Sequence, residues 1–205
     1  MSFFNNPNFQ PKRKFRWIVS FSKIGGSTAP GGNSLSFMAT KCSKPSYNLD
    51  STQHRVLNHE FKFPNIVKWQ DVTISFIDAV NPDVGRNFYN SLLSSGYEPP
   101  SSQSDLLAGV TKAGAHAALG QVSIKQLDGG GRNLDLILNP GETPPGLGPT
   151  KYIEEWILHN AFITSAKFGD LDYNTDDLVS IDLTIKYDYA KLTSFDPGAA
   201  PSYQV

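Results

Sequence analysis

The sequence predicts a mostly-β chain with one helix laid on a sheet, an α+β arrangement. Three observations predict it. From Val179 to Ala190, the apolar residues Val179, Ile181, Leu183, Ile185, Tyr187 and Tyr189 alternate with Ser180, Asp182, Thr184, Lys186, Asp188 and Ala190, the period of a half-buried strand. The same alternation runs through Phe15–Phe21 and Val72–Asp78. In contrast, Phe88, Leu92 and Leu93 recur at helical spacing between Val84 and Ser95. At 205 residues the chain suits one domain, 1–205.

Taken in order, residues 1–13 are polar and contain proline, and read as an N-terminal arm. A strand follows, with Phe15, Trp17, Val19 and Phe21 on one face. Residues 25–33 are a loop by composition. Leu35–Lys41 reads as a second strand, closed by Pro45, because proline donates nothing to a ladder. Arg55–Phe61 reads as a third, ended by Pro64. Val72–Asp78 is the clearest central strand. Asp83 or Asn81 caps the helix, and Gly96 stops it. Its stripe of Phe88, Leu92 and Leu93 is expected to pack on the sheet.

Residues 97–118, rich in Pro, Ser, Gly and Ala, read as a long loop. Gln121–Leu127 is a strand. The turn Asp128–Gly131 allows Leu134–Leu138 to return as its hairpin partner. Residues 139–150, with four prolines and three glycines, form a second long loop. Tyr152–Ile163 fits neither period, and helix and strand both stay open. A turn at Lys167–Gly169 leads to the long alternating strand, and residues 191–205 read as a C-terminal tail.

Charge is unevenly spread. Residues 1–70 carry a balance of +8 and residues 71–205 one of −9. Such asymmetry bears on association rather than fold: a basic face of one copy suits an acidic face of another. Charged residues make up only 18% and aromatics 12%, which suits a subunit that covers surface in partners and equally an ordinary β-domain. The first residues lack a charged leader and a long apolar core, so no signal peptide is expected. No apolar run approaches the roughly 20 residues that cross a bilayer.

The motifs call for no enzyme chemistry and no cofactor. Cys42 is the sole cysteine, and His54, His59, His116 and His159 form no pattern around it. Gly25-Gly26 and Gly31-Gly32 lack the Lys-Ser/Thr ending of a phosphate loop. Asp170, Asp172, Asp176 and Asp177 are the densest acidic cluster, but a calcium loop would need Gly at Thr175 and Glu at Ile181. Lys12, Arg13, Lys14 and Arg16 form a basic patch beside Phe15 and Trp17; with a sequence pI of about 6.4, an arm docking on an acidic neighbour fits better than a nucleic-acid binder.

Three segments together resemble the tail-tube family of contractile-tailed bacteriophages. The first is the opening strand with Phe37-Met38-Ala39-Thr40-Lys41 and Pro45. The second is Trp69–Asp78 followed by the helix with Phe88-Tyr89. The third is Trp156–Gly169, an acidic turn, and the strand ending Tyr187-Asp188-Tyr189. The likeness covers roughly residues 14–95 and 118–190.

The resemblance implies a compact β-barrel or sandwich with one flanking helix. Six copies would form a ring with a continuous inner β-barrel, and rings would stack into the inner tail tube. Implied with it are a virion location, assembly in the host cytoplasm, and partners in further copies, the sheath, the tape-measure protein and the baseplate and terminator proteins. DNA would pass through without specific binding. It favours a strand over 152–163.

Within that frame, Asp170, Asp172, Asp176, Asp177, Asp182 and Asp188 are candidate lumen or ring-contact carboxylates, which would let phosphate slide past. Lys12, Arg13, Lys14 and Arg16 are candidate arm contacts. The long loops and tail also suit a baseplate initiator or terminator ring, and a tube subunit of a secretion or injection system is a further alternative. A solitary carbohydrate-binding β-sandwich is the rival of another class.

Overall fold

The structure, a computed structural model, describes residues 12–24, 35–36, 38–102, 107, 109–127 and 152–194. Ten strands and two helices lie among them. One antiparallel sheet has the order β1 (Trp17–Phe21), β6 (Val122–Leu127), β7 (Tyr152–His159), β10 (Tyr189–Ser194). A second has the order β2 (Ala39–Cys42), β5 (Val72–Ile77), β9 (Ser180–Lys186), β8 (Phe162–Lys167). Strands β3 (Tyr47–Val56) and β4 (His59–Trp69) pair only with each other.

The two four-stranded sheets enclose one apolar core, a sandwich. Val19 and Phe21 of β1, Val122 and Ile124 of β6 and Leu158 of β7 meet Val72, Ile74 and Phe76 of β5 and Ile181, Leu183 and Ile185 of β9. The alternation of β5 and β9 dictates this. Every second side chain is fully buried, and the residues between face outward. Burying each such aliphatic group contributes about 1.5–3 kcal/mol.

Helix α1 (Val84–Ser94) begins where Asp83 Oδ1 accepts the Arg86 amide at 2.8 Å, as expected of the cap. The apolar stripe differs from the expectation. Val84, Phe88 and Ser91 are buried, whereas Leu92 and Leu93 are exposed. Phe88 packs against Phe76 with ring centroids 5.2 Å apart, and this contact sets the helix's rotation.

A second helix corrects the expectation of one. Lys112–Leu119, here α2, occupies the end of the stretch read as the 97–118 loop. Thr111 caps it, accepting the Gly114 amide at 3.0 Å. Its only large apolar residue is Leu119, so no helical period was visible.

Four strand expectations are also corrected. Arg55–Phe61 is not one strand but the tip of the β3–β4 hairpin, with the chain reversing at Leu57-Asn58 and Leu57 at φ 54°. Pro64 does not end β4; it lies opposite Ser51, beside a register shift where the ladder is already broken. The expected Leu35–Lys41 strand begins only at Ala39. The long final strand is two, because the chain leaves the second sheet at Tyr187-Asp188 and enters the first as β10. That strand also takes up Lys191–Ser194 from the expected tail. Tyr152–Ile163 resolves as β7, a turn at Asn160 (φ 55°) and the start of β8. Residues 1–11, 25–34, 37, 103–106, 108, 128–151 and 195–205 lie outside the described residues, and with them most of the expected arm, the glycine loop, the 134–138 strand, the 139–150 loop and the rest of the tail.

Candidate functional site

The hairpin is the first candidate surface. Every residue of β3, and of β4 up to Lys68, is exposed. At about 3.3 Å per residue, the ten residues of β3 reach about 30 Å. Its apolar residues are Tyr47, Leu49, Val56, Leu57, Phe61, Phe63, Ile66 and Val67, each at least 46% exposed. Its base is anchored, since Tyr47 packs edge-on against Trp69, and Trp69 against Tyr187 of the sandwich at 5.9 Å. An isolated two-stranded hairpin is at best marginally stable in water, and an exposed apolar ribbon is a docking surface.

The sheet edges are the second. Among the described residues, β1 and β10 bound one sheet and β2 and β8 the other, each with one side of its backbone unpaired. Open edges template further pairing.

The third surface is the basic mouth of the sandwich. On β6 and β7 the alternation places Gln126 and Glu154 on the inward, otherwise apolar faces. Both are buried. A buried carboxylate needs partners. Glu154 has two, the ammonium groups of Lys12 and Lys44, and Lys44 also donates to Gln126 Oε1 at 2.6 Å. Burial alone would raise the Glu154 carboxyl; the hydrogen bonds and charges of the two lysines outweigh it and hold the group below its ordinary value. Lys12, Lys14, Lys41 and Lys44 surround a cavity of about 580 Å³ floored by Trp17 and Ile124. Cys42 lines it too. Burial pushes its thiol up to about 12, which keeps it protonated near neutral pH.

The predicted residues separate on this frame. Asp170, Asp172, Asp176 and Asp177 share the exposed β8–β9 loop. Asp172 Oδ1 accepts from the Asn174 amide at 3.0 Å, a local turn. No three His, Cys, Asp or Glu side chains among the described residues gather as a metal site. Asp182 projects from the outer face of β9, where it accepts from Ser75 Oγ at 2.5 Å.

Asp188 does not share that face. It sits at the β9–β10 corner, accepting from Lys112 Nζ and Asn160 Nδ2, both at 2.7 Å. The Lys112 hydrogen bond, then that of Asn160, holds its carboxyl below the ordinary value. Asp188 thus clasps α2 to two turns of its own chain. Of the basic patch, Lys12 finds its acidic partner within the chain, Arg13 offers its carbonyl to Gln126 Nε2 at 3.2 Å, and Arg16 lies over Phe15. Lys14 lines the mouth.

Sequence reasoning missed Lys41, Lys44, Gln126 and Glu154. The signal was present for two of them, since Gln126 and Glu154 fall in phase with apolar neighbours on alternating strands.

No known family profile and no curated protein matches the sequence. Solved structures do. A chain in the baseplate of the anti-feeding prophage aligns at 14% identity and TM-score 0.58, over 91% of this chain and 97% of that one. A chain in the tube-terminating cap of that prophage aligns at 17% and 0.57, over 94% and 98%. One in the extended sheath-tube complex of the extracellular contractile injection system PVC aligns at 17% and 0.54, over 95% and 99%. The chain therefore carries a fold found in the tube-bearing assemblies of contractile injection systems, as its resemblance to the tail-tube family implies.

Proposed function

We propose that this chain is a self-assembling, non-enzymatic structural subunit of the inner tube of a contractile tail or injection apparatus. Copies close into rings, six per ring by the resemblance, and rings stack within a sheath. The observation that carries this reading is the exposed apolar β3–β4 hairpin on a sandwich whose edge strands are unpaired among the described residues, which supplies the strands and surface that association would bury. The fold it shares with chains of sheath-tube, cap and baseplate structures supports it. In a tailed phage such a tube conducts DNA and the tape-measure protein. The outward face of the second sheet, with Thr73, Ser75, Asp182, Thr184 and Lys186, is polar enough to line a water-filled channel.

Negative-stain electron microscopy of the purified protein across concentration tests the reading. Hollow tubes of stacked rings are the expected result. Single rings that never stack would instead favour an initiator or terminator, a reading to which the cap and baseplate structures lend weight. A protein that stays monomeric at high concentration contradicts both.

A further inference from the structure

We infer that the acidic β8–β9 loop of one copy docks into the lysine-lined mouth of the next, fixing a head-to-tail contact between subunits. This rests on the self-assembly reading above and names the surfaces that meet. Three observations carry it.

The first is charge. Residues 170–178 hold four carboxylates and no basic residue. The mouth holds four lysines around one buried glutamate. Lys12 and Lys44 are engaged by Glu154, whereas Lys14 and Lys41 have no ion-pair partner among the described residues. The mouth therefore keeps an unanswered positive charge that an acidic segment answers.

The second is the loop's apolar content. Leu171, Tyr173 and Leu178 are 87%, 109% and 73% exposed, an unusual state for three large side chains in nine residues. The mouth offers them the partly buried Trp17, in a cavity of about 580 Å³.

The third is placement. In the order β2-β5-β9-β8, the mouth borders β2 and the loop leaves β8, so they lie at opposite edges, about 14 Å apart at the strand spacing. They are also offset along the strands, although the loop leaves β8 at Lys167, level with Lys41 of the mouth. Ser180, where the loop enters β9, pairs with Ile77, whereas Cys42 aligns with Ile74 and Lys44 lies beyond it. The mouth's lining includes no residue of the loop, so the two do not meet within one chain, and copies set head to tail can bring them together. Different patches meeting in this way make a heterologous interface, the kind that closes rings.

Charge reversal with repair tests it. Asp170→Lys/Asp176→Lys/Asp177→Lys reverses the loop and leaves the Asp172 turn intact. Lys14→Glu/Lys41→Glu reverses the mouth and leaves both partners of Glu154 in place. Each reversed protein should melt like the unmodified one by circular dichroism, yet need at least tenfold higher concentration to assemble in sedimentation. Mixing the two should restore assembly, and so should the chain with all five changes. Assembly of each reversed protein at the unmodified concentration overturns the inference and leaves the tube reading standing, as does failure of the mixture to recover.

A synthetic peptide of residues 168–179 reads the contact without rings. It should bind the unmodified protein, weaken with added salt, and lose at least tenfold affinity for Lys14→Glu/Lys41→Glu. Peptide binding by a protein that never assembles supports the contact and sinks the tube. No binding, or displacement of the peptide by a short DNA oligonucleotide at lower concentration, overturns the contact.

Discussion

The β5–β9 pair and the β3–β4 hairpin are built from the same ladder and end in opposite environments. β5 and β9 pair over six residues, and the inward side chains Val72, Ile74, Phe76, Ile181, Leu183 and Ile185 are all 0% exposed. β3 and β4 pair over nine, and nearly every side chain meets solvent. Backbone pairing contributes little net stability on its own, because the unfolded chain forms the same bonds with water. The first pair is held by what its side chains bury. The second has the apolar side chains but nothing to bury them against. One region buries its apolar side chains within the chain, and the other leaves them open to solvent.

Four variants probe that difference. Leu183→Ala opens a cavity between the sheets and should cost about 3–5 kcal/mol in urea unfolding. A loss below about 1 kcal/mol would mean the two sheets do not share one tight core.

Glu154→Gln should cost about 1–3 kcal/mol, since two lysines lose their partner at the mouth. Its pH dependence sharpens the point. The Glu154 carboxyl is held below its ordinary 4.5 when folded, so its stabilisation is fully present above that value. It is lost as pH falls through the lower folded value. Thermal melts should therefore show the native protein losing more stability than Glu154→Gln on acidification below about pH 4.5. Parallel melting curves would show that the two lysines do not bias the carboxyl.

Asp83→Ala removes the α1 cap and should cost about 1 kcal/mol by chemical denaturation, with the fold unchanged by far-ultraviolet circular dichroism. The smallest effect on the monomer belongs to Phe61→Ser/Phe63→Ser in the hairpin, within about 0.5 kcal/mol. The same change should abolish assembly in sedimentation. If it unfolds the monomer instead, the hairpin is packed on its own chain and the comparison fails.

The contrast also decides what the sequence makes legible. β5 and β9 show strict alternation because one face is buried and the other is not, and the helix at Val84–Ser94 declares its cap. The hairpin hides. With both faces open, no period is imposed on it, and its tip turns at Leu57-Asn58 with no glycine to mark the reversal. The β9–β10 corner hides for another reason. Tyr187 and Tyr189 keep the two-residue rhythm across a change of sheet, yet Tyr187 is buried and Tyr189 is exposed, stacked on His159. Of the candidate site, the acidic loop and Lys14 were legible as charge clusters. Lys41, Lys44, Gln126 and Glu154 were not, because their meeting depends on β2, β6 and β7 converging from positions up to 113 residues apart.

The central claim, that the hairpin waits for a neighbouring copy, is tested most directly by amide hydrogen exchange in dilute and assembled protein. In dilute monomer the amides of Tyr47–Trp69 should exchange far faster than those of β5 and β9, and assembly should protect them towards the level of the core. Hairpin amides as slow as the core in the monomer, or as fast in the assembly as before it, would contradict the account.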